Sequence, residues 1–99
     1  MDGMNHLVFF EQFVAQKIPP TYLLTWSDFQ GGDFGDLKRA AFESLSLLGS
    51  IDFWSKGWLA IDIFDLRVQD QVLVVLCSPE EEDGLKNAFD KLLGILSDE

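Results

Sequence analysis

The chain has 99 residues, 47% of them hydrophobic and 13% aromatic, and 17 acids against seven bases give a formal net charge of −10. That length allows one core but no second domain around a cleft, and the apolar content excludes disorder. The charge repels phosphate backbones and anionic membranes and attracts cationic surfaces within a Debye length of ~8 Å, so a basic protein is the expected partner and nucleic acid and membrane are not.

The opening run MDGMNHLVFFEQF shows neither a positive n-region nor a small-residue cleavage site, and no uncharged apolar stretch approaches the ~18 residues of a membrane helix. Neither a secretion signal nor a membrane span is expected. From Met4 to Gln16, apolar Met4, Leu7, Val8, Phe10, Phe13 and Val14 recur at helical spacing, and Pro19-Pro20 stops the run. Phe9 widens the apolar arc, which suits a helix lying on a sheet or forming a dimer contact. His6, the only histidine, has no second metal-ligand type nearby and reads as a surface or rim residue. TYLLTW, from Thr21 to Trp26, is β-branched and aromatic and reads as a short strand.

SDFQGGDFGD, from Ser27 to Asp36, then places three aspartates among three glycines. An EF-hand requires alternating oxygen ligands and a terminal bidentate Glu, which Asp28, Asp33 and Asp36 do not provide. A phosphate cradle requires a Lys and no interleaved carboxylates. The stretch reads as an exposed acidic turn in which Asp33 caps a second helix, with Asp36 at its third position and Phe29 and Phe34 beside them. That helix is drawn by Leu37, Ala41, Leu45 and Leu48, with Gly49 as its stop. Within it, FGDLKRAAFESL resembles a segment of the barstar family of acidic ribonuclease inhibitors, of the type YGxNLDALWDAL: Phe34, Gly35, Asp36, Ala40, Phe42, Glu43 and Leu45 match in type. The resemblance covers some twelve of 99 residues and implies, by analogy, masking of a basic nuclease site. Arg39 stands where that family carries an inhibitory acid, and this chain opens on a helix where that family opens on a strand.

IDFWSKGW reads as a loop in which Trp54 and Trp58, if exposed, would anchor a partner; Trp26 and Phe53 join them in closing one end of the core. WLAIDIFDLRV and QVLVVLCS flank a polar turn and predict a β-hairpin, whose second strand, apolar on both faces, is expected at the centre of the sheet. Asp62 and Asp65 are three apart on the first strand and point to opposite faces, so they cannot act together on one substrate; a buried one requires Lys56 or Arg67. Cys77 cannot form an internal disulfide and reads as a small buried hydrophobe, whose place before a helix could lower its thiol pKa. SPEE, from Ser78 to Glu81, is a capping box opening a third helix with the stripe Leu85, Ala88, Phe89, Leu92, Leu93 and Leu96.

These readings give one α+β domain, residues 1–99, in the order α-β-α-β-β-α, with a mainly antiparallel sheet and helices packed on it. The expected function is a cytoplasmic, non-enzymatic acidic protein-binding module without cofactor or metal, an immunity protein or stoichiometric inhibitor of a basic, nuclease-like partner. Its expected contact residues are Asp28, Asp33, Phe34, Asp36, Glu43, Trp54 and Trp58. The competing expectation is a structural or regulatory subunit that docks or homodimerises through the first helix and the Trp-rich loop.

Overall fold

The computed structural model describes residues 4–32 and 35–97. Helix α1, Met4–Phe9, continues through a π turn, Phe10–Val14, and a 3-10 turn, Ala15–Lys17. Strands β1 (Leu23–Gly32), β2 (Gly35–Glu43), β3 (Leu47–Trp54), β4 (Leu59–Asp65) and β5 (Asp70–Cys77) follow, then helix α2, Glu82–Ser97. The five strands form one antiparallel sheet in the order β1-β2-β3-β4-β5. The α+β class and the helix-covered antiparallel sheet agree with the sequence reading. The order α-β-α-β-β-α does not, because the residues assigned to the second helix form β2 and β3.

Burial explains that correction. None of the helical stripe Leu37, Ala41, Leu45 and Leu48 is buried, and Leu45 is 100% exposed in the turn, whereas Ala40 and Phe42, both off the stripe, are buried. The period that reaches the core is therefore two rather than 3.6. Gly49 is not a helix stop; it lies opposite Phe42 across β2 and β3, and the Phe42 ring occupies the space above it. A Cβ at Gly49 would meet that ring and come within 2.6 Å of the Asp62 carbonyl oxygen. Between the strands the Ser44 hydroxyl accepts hydrogen bonds from the Ser46 and Leu47 amides, each at 3.2 Å, so the turn is built from Ser44 itself.

The core lies between the sheet and the helices. Ala40, Phe42, Leu47, Ile51, Phe53, Leu59, Ile61 and Ile63 project from β2, β3 and β4 into it, and Leu7, Phe10 and Val14 meet them from the first helical segment. From α2 come Ala88, Phe89, Leu92 and Leu96, the stripe expected of the last helix, with Leu85 and Leu93 partly buried beside them. Phe10 joins all three parts: its ring centroid lies 5.4 Å from Phe53, 5.8 Å from Trp26 and 5.9 Å from Phe89. The Tyr22 hydroxyl donates to the Leu96 carbonyl at 3.2 Å, tying the entry of β1 to the end of α2.

Other expectations shift in place. β1 runs on through SDFQGG, so most of the acidic stretch is strand rather than loop, and Ile51 to Trp54 belong to β3 rather than to a Trp-rich loop. In SPEE the Ser78 amide donates to Glu81 Oε2 at 3.3 Å and the Glu81 amide to the Ser78 carbonyl at 3.1 Å, which closes a turn; α2 starts only at Glu82. β5 is an edge strand and not a central one. Its apolar residues split by face: Cys77 is buried and Leu73 and Val75 half-buried, while Val72, Val74 and Leu76 are 40%, 67% and 57% exposed.

The Phe42–Gly49 contact can be measured. Gly49→Ala is expected to lower unfolding stability by about 1–3 kcal/mol in urea titration, because the ring and the Asp62 carbonyl must both shift to admit one methyl group. Wild-type stability in this variant would show that the ring does not depend on the gap.

Candidate functional site

In a sheet whose strands follow chain order, the β1–β2 and β3–β4 connections and the entry to α2 all lie at one end. Direct contacts join them. The Asp36 amide donates to Ser55 Oγ at 2.9 Å and the Ser55 amide to the Asp36 carbonyl at 2.8 Å, linking the first connection to the second. Gly57, at φ +100°, leaves room for Pro79: a Cβ there would stand 2.9 Å from the proline Cβ, so the second connection also packs on the third.

A cleft of about 420 Å³ opens at this end, lined by Asp28, Phe29, Asp36, Phe53 and Trp54 among others. Phe29 is 47% exposed. Asp36 Oδ1 accepts from the Gly31 amide at 3.1 Å, so this carboxylate also fixes the hairpin. Asp28 is exposed and lies opposite Lys38, whose Nζ stands 5.4 Å above the Trp26 ring. Across the end, exposed Glu80 and Glu81 follow Pro79 in the run that enters α2.

Of the residues singled out from sequence, the fold brings Asp28, Asp36 and Trp54 to one cleft. Trp58 is half-buried in the adjacent turn, where its carbonyl accepts from the Trp54 amide at 3.0 Å. Glu43 does not join them: it ends β2 at the opposite end of the sheet, roughly 23 Å from Asp36 at about 3.3 Å per residue. Asp33 and Phe34 lie outside the described residues, and no helix follows for Asp33 to cap. From sequence SPEE reads as a capping box; what sets Glu80 and Glu81 at the same end of the sheet as the first acidic run, across β3 and β4 from it, is strand order, which periodicity does not report.

The candidate chemical groups separate. Asp62 is exposed on the open face and accepts from Gln71 Nε2 at 2.9 Å. Asp65 points inward, is buried, and is gripped by Arg67 through Nε at 3.0 Å, Nη2 at 2.8 Å and the backbone amide at 2.8 Å. The Arg67 side-chain hydrogen bonds, against the opposing effect of burial, hold this carboxyl below its ordinary value. His6 is buried, not at a rim: the wide apolar arc of α1 turns it onto the sheet, and neither ring nitrogen has a hydrogen-bond partner among the described residues. Cys77 is buried, and burial first and the Glu81 charge second push its thiol pKa up, opposite to the lowering anticipated from the helix start. On the open face Arg39 forms a bidentate pair with Asp52, at 2.7 and 3.1 Å, and stands 5.2 Å from the Phe29 ring centroid.

Among the described residues no helix is long and apolar enough to cross a membrane. Comparison with family models, with curated proteins and with solved structures finds no match to this chain.

Two measurements check these assignments. Because the folded Asp65 carboxyl titrates below the unfolded value of about 3.9, its contribution to stability is complete above that value and is lost as pH falls through the folded one. Arg67→Gln is therefore expected to move the acid-unfolding midpoint, followed by circular dichroism from pH 7 to 2, to higher pH; an unmoved midpoint would discard the pair as a stabilising element. Separately, Cys77 should resist a thiol reagent at pH 7.5 in the folded protein and react in denaturant; rapid labelling of the native state would contradict its burial.

Proposed function

We propose that this chain is a small acidic protein-binding module that masks a basic surface of another protein, in the manner of an immunity protein or stoichiometric inhibitor of a nuclease-like partner. One observation carries the reading: Asp28 and Asp36 line a cleft with Phe29, Trp54 and Lys38, and Glu80 and Glu81, far away in sequence, lie at the same end of the sheet, at the exit of the opposite edge strand. Carboxylates steer a cationic surface toward the contact, and the exposed Phe29 ring, with the half-buried Trp54 in the same cleft, slows its departure. A net charge of −10 supplies the long-range part of that attraction.

Binding is favoured over catalysis because the groups an active site would require stand apart. Asp65 closes the far end of β4 with its charge committed to Arg67, and Asp62 faces the open side of the sheet. His6 is buried on α1, and Cys77 is a buried thiol at the end of β5.

A second reading, a subunit that docks through its first helix, is favoured by Val8 and Phe13, which stay 43% and 55% exposed on that segment. Salt separates the two. Affinity capture from the native host, with mass spectrometry of what is retained, supplies the partner; stopped-flow association is then measured at low and moderate ionic strength.

The inhibitor reading expects a basic partner, an on-rate that falls about tenfold over that salt range, and a further loss of about tenfold in Asp28→Lys combined with Glu80→Lys. Those two residues are chosen because both are exposed and, unlike Asp36, neither holds the hairpin together. An acidic partner, or an on-rate indifferent to both salt and charge reversal, would favour docking through the helix.

A further inference from the structure

We propose that the outer edge of β5 is a self-recognition surface, on which a second copy of the chain lays its own β5 antiparallel about a two-fold axis at Val74. The two sheets then continue as one.

The two edges of the sheet contrast. Natural sheets guard edge strands with charges, prolines, glycines or register shifts. β1 has such guards: it carries Asp28, changes register between Phe29 and Gly32, and ends in two glycines. From Val72 to Cys77, β5 carries no charge, proline or glycine; its register shift falls on Val72, between Leu73 opposite Ile63 and Gln71 opposite Phe64, and Leu73 to Cys77 pairs regularly. An eight-residue strand with apolar residues on both faces is left with one side of its backbone unpaired by the sheet.

The β5 edge is also self-complementary. About Val74, Val72 lies opposite the partner's Leu76 and Leu73 opposite the partner's Val75, while Val74 meets the partner's Val74. Every pair is apolar, and the exposed row Val72, Val74 and Leu76 extends into an identical row, the cross-strand arrangement that stabilises a sheet.

Charge selects both the orientation and the register. In the antiparallel arrangement, Glu80 and Glu81 of one copy come beside the turn of the other that carries Arg67, whose side chain is 51% exposed. The two acidic ends then point away from each other, roughly 25 Å apart along the strands and so beyond several Debye lengths. A parallel arrangement would set the acidic ends side by side, and a register centred on Val75 would draw Asp70 toward the partner's Glu80. The open face of the sheet is a poorer dimer surface: its middle carries Ser50, the Arg39–Asp52 pair and Asp62, which an identical face would desolvate without new partners.

A contact along one short strand falls below the ~1,200 Å² typical of stable specific interfaces, so the dimer is expected to dissociate in the micromolar range. Sedimentation velocity of the full chain from about 1 to 300 μM should show reversible dimerisation. Val74→Lys, at a position 67% exposed, should keep the wild-type circular dichroism spectrum and weaken the dimer at least tenfold. Val74→Cys should form an intermolecular disulfide on oxidation, since directly opposed strand residues lie about 4.5–5.5 Å apart at Cα, within disulfide range. Leu76→Cys, which faces the partner's Val72 and not itself, should not, and native Cys77 is buried and does not compete. A monomer at every concentration overturns the proposal. So does a dimer that Val74→Lys leaves intact, or one that Val74→Cys fails to link.

Discussion

The arrangement of this molecule depends on one constraint: each strand pairs with its neighbour in the chain, so successive connections alternate between the two ends of the sheet. The acidic hairpin, the tryptophan-bearing turn and the entry to α2 are brought together because they are the first connection, the third and the exit from the fifth strand. Local bonding then fixes what topology places. Ser55 exchanges two hydrogen bonds with the backbone of Asp36, and Pro79 fills the space that Gly57 leaves. Three segments spread over some fifty residues of sequence thus behave as one surface, with carboxylates whose positions are set before any partner arrives. Such preorganisation lowers the ordering cost of association.

Where the cations sit matters as much as where the acids do. Arg39 is committed to Asp52 and Arg67 to Asp65, and each pair is local to its own part of the fold. Lys17, Lys86 and Lys91 belong to the helical layer. At the end that bears Asp28, Asp36, Glu80 and Glu81, the cations among the described residues are Lys38 and Lys56. Among the residues named, this end carries four carboxylates against two ammonium groups, with the exposed Phe29 among them. Two of these carboxylates have local work, Asp36 accepting from the Gly31 amide and Glu81 from the Ser78 amide, while Asp28 and Glu80 are exposed.

The sequence was most legible where period and chemistry agreed. The stripe from Leu85 to Leu96 could only be a helix buried on one face, and the alternation through Leu59, Ile61 and Ile63 could only be a half-buried strand. It misled where two periods overlapped. Leu37, Ala41, Leu45 and Leu48 satisfy helical spacing, yet Ala40 and Phe42 also satisfy strand spacing, and the strand puts Phe42 across from the bare backbone of Gly49, where its ring occupies the space a Cβ would fill. No window containing Phe42 alone reports that. The position of β5 was lost for a related reason. Val72 to Leu76 is apolar on both faces, which usually marks a strand covered on both sides, but strand order is a global property that the composition of one strand does not carry. The candidate site was half legible in the same sense: Asp28, Asp36 and Trp54 were visible as residue types in suggestive runs, whereas the placing of Glu80 and Glu81 at the same end of the sheet required the order of all five strands.

The edge and the acidic end also constrain each other. Had β5 paired in parallel with a copy of itself, the concentration of carboxylates at one end would oppose association, and the charge that steers a partner would limit the protein to a monomer. Antiparallel pairing removes the conflict, because a two-fold axis across the strand sends the acidic ends in opposite directions. It also leaves both clefts open, since they lie on the β1–β2 side of the sheet and the junction lies beyond β4. Such a dimer leaves the cleft with Asp28 and Asp36 uncovered while Glu80 and Glu81 come to lie at the junction, and the two copies present their clefts at opposite extremes of one extended sheet.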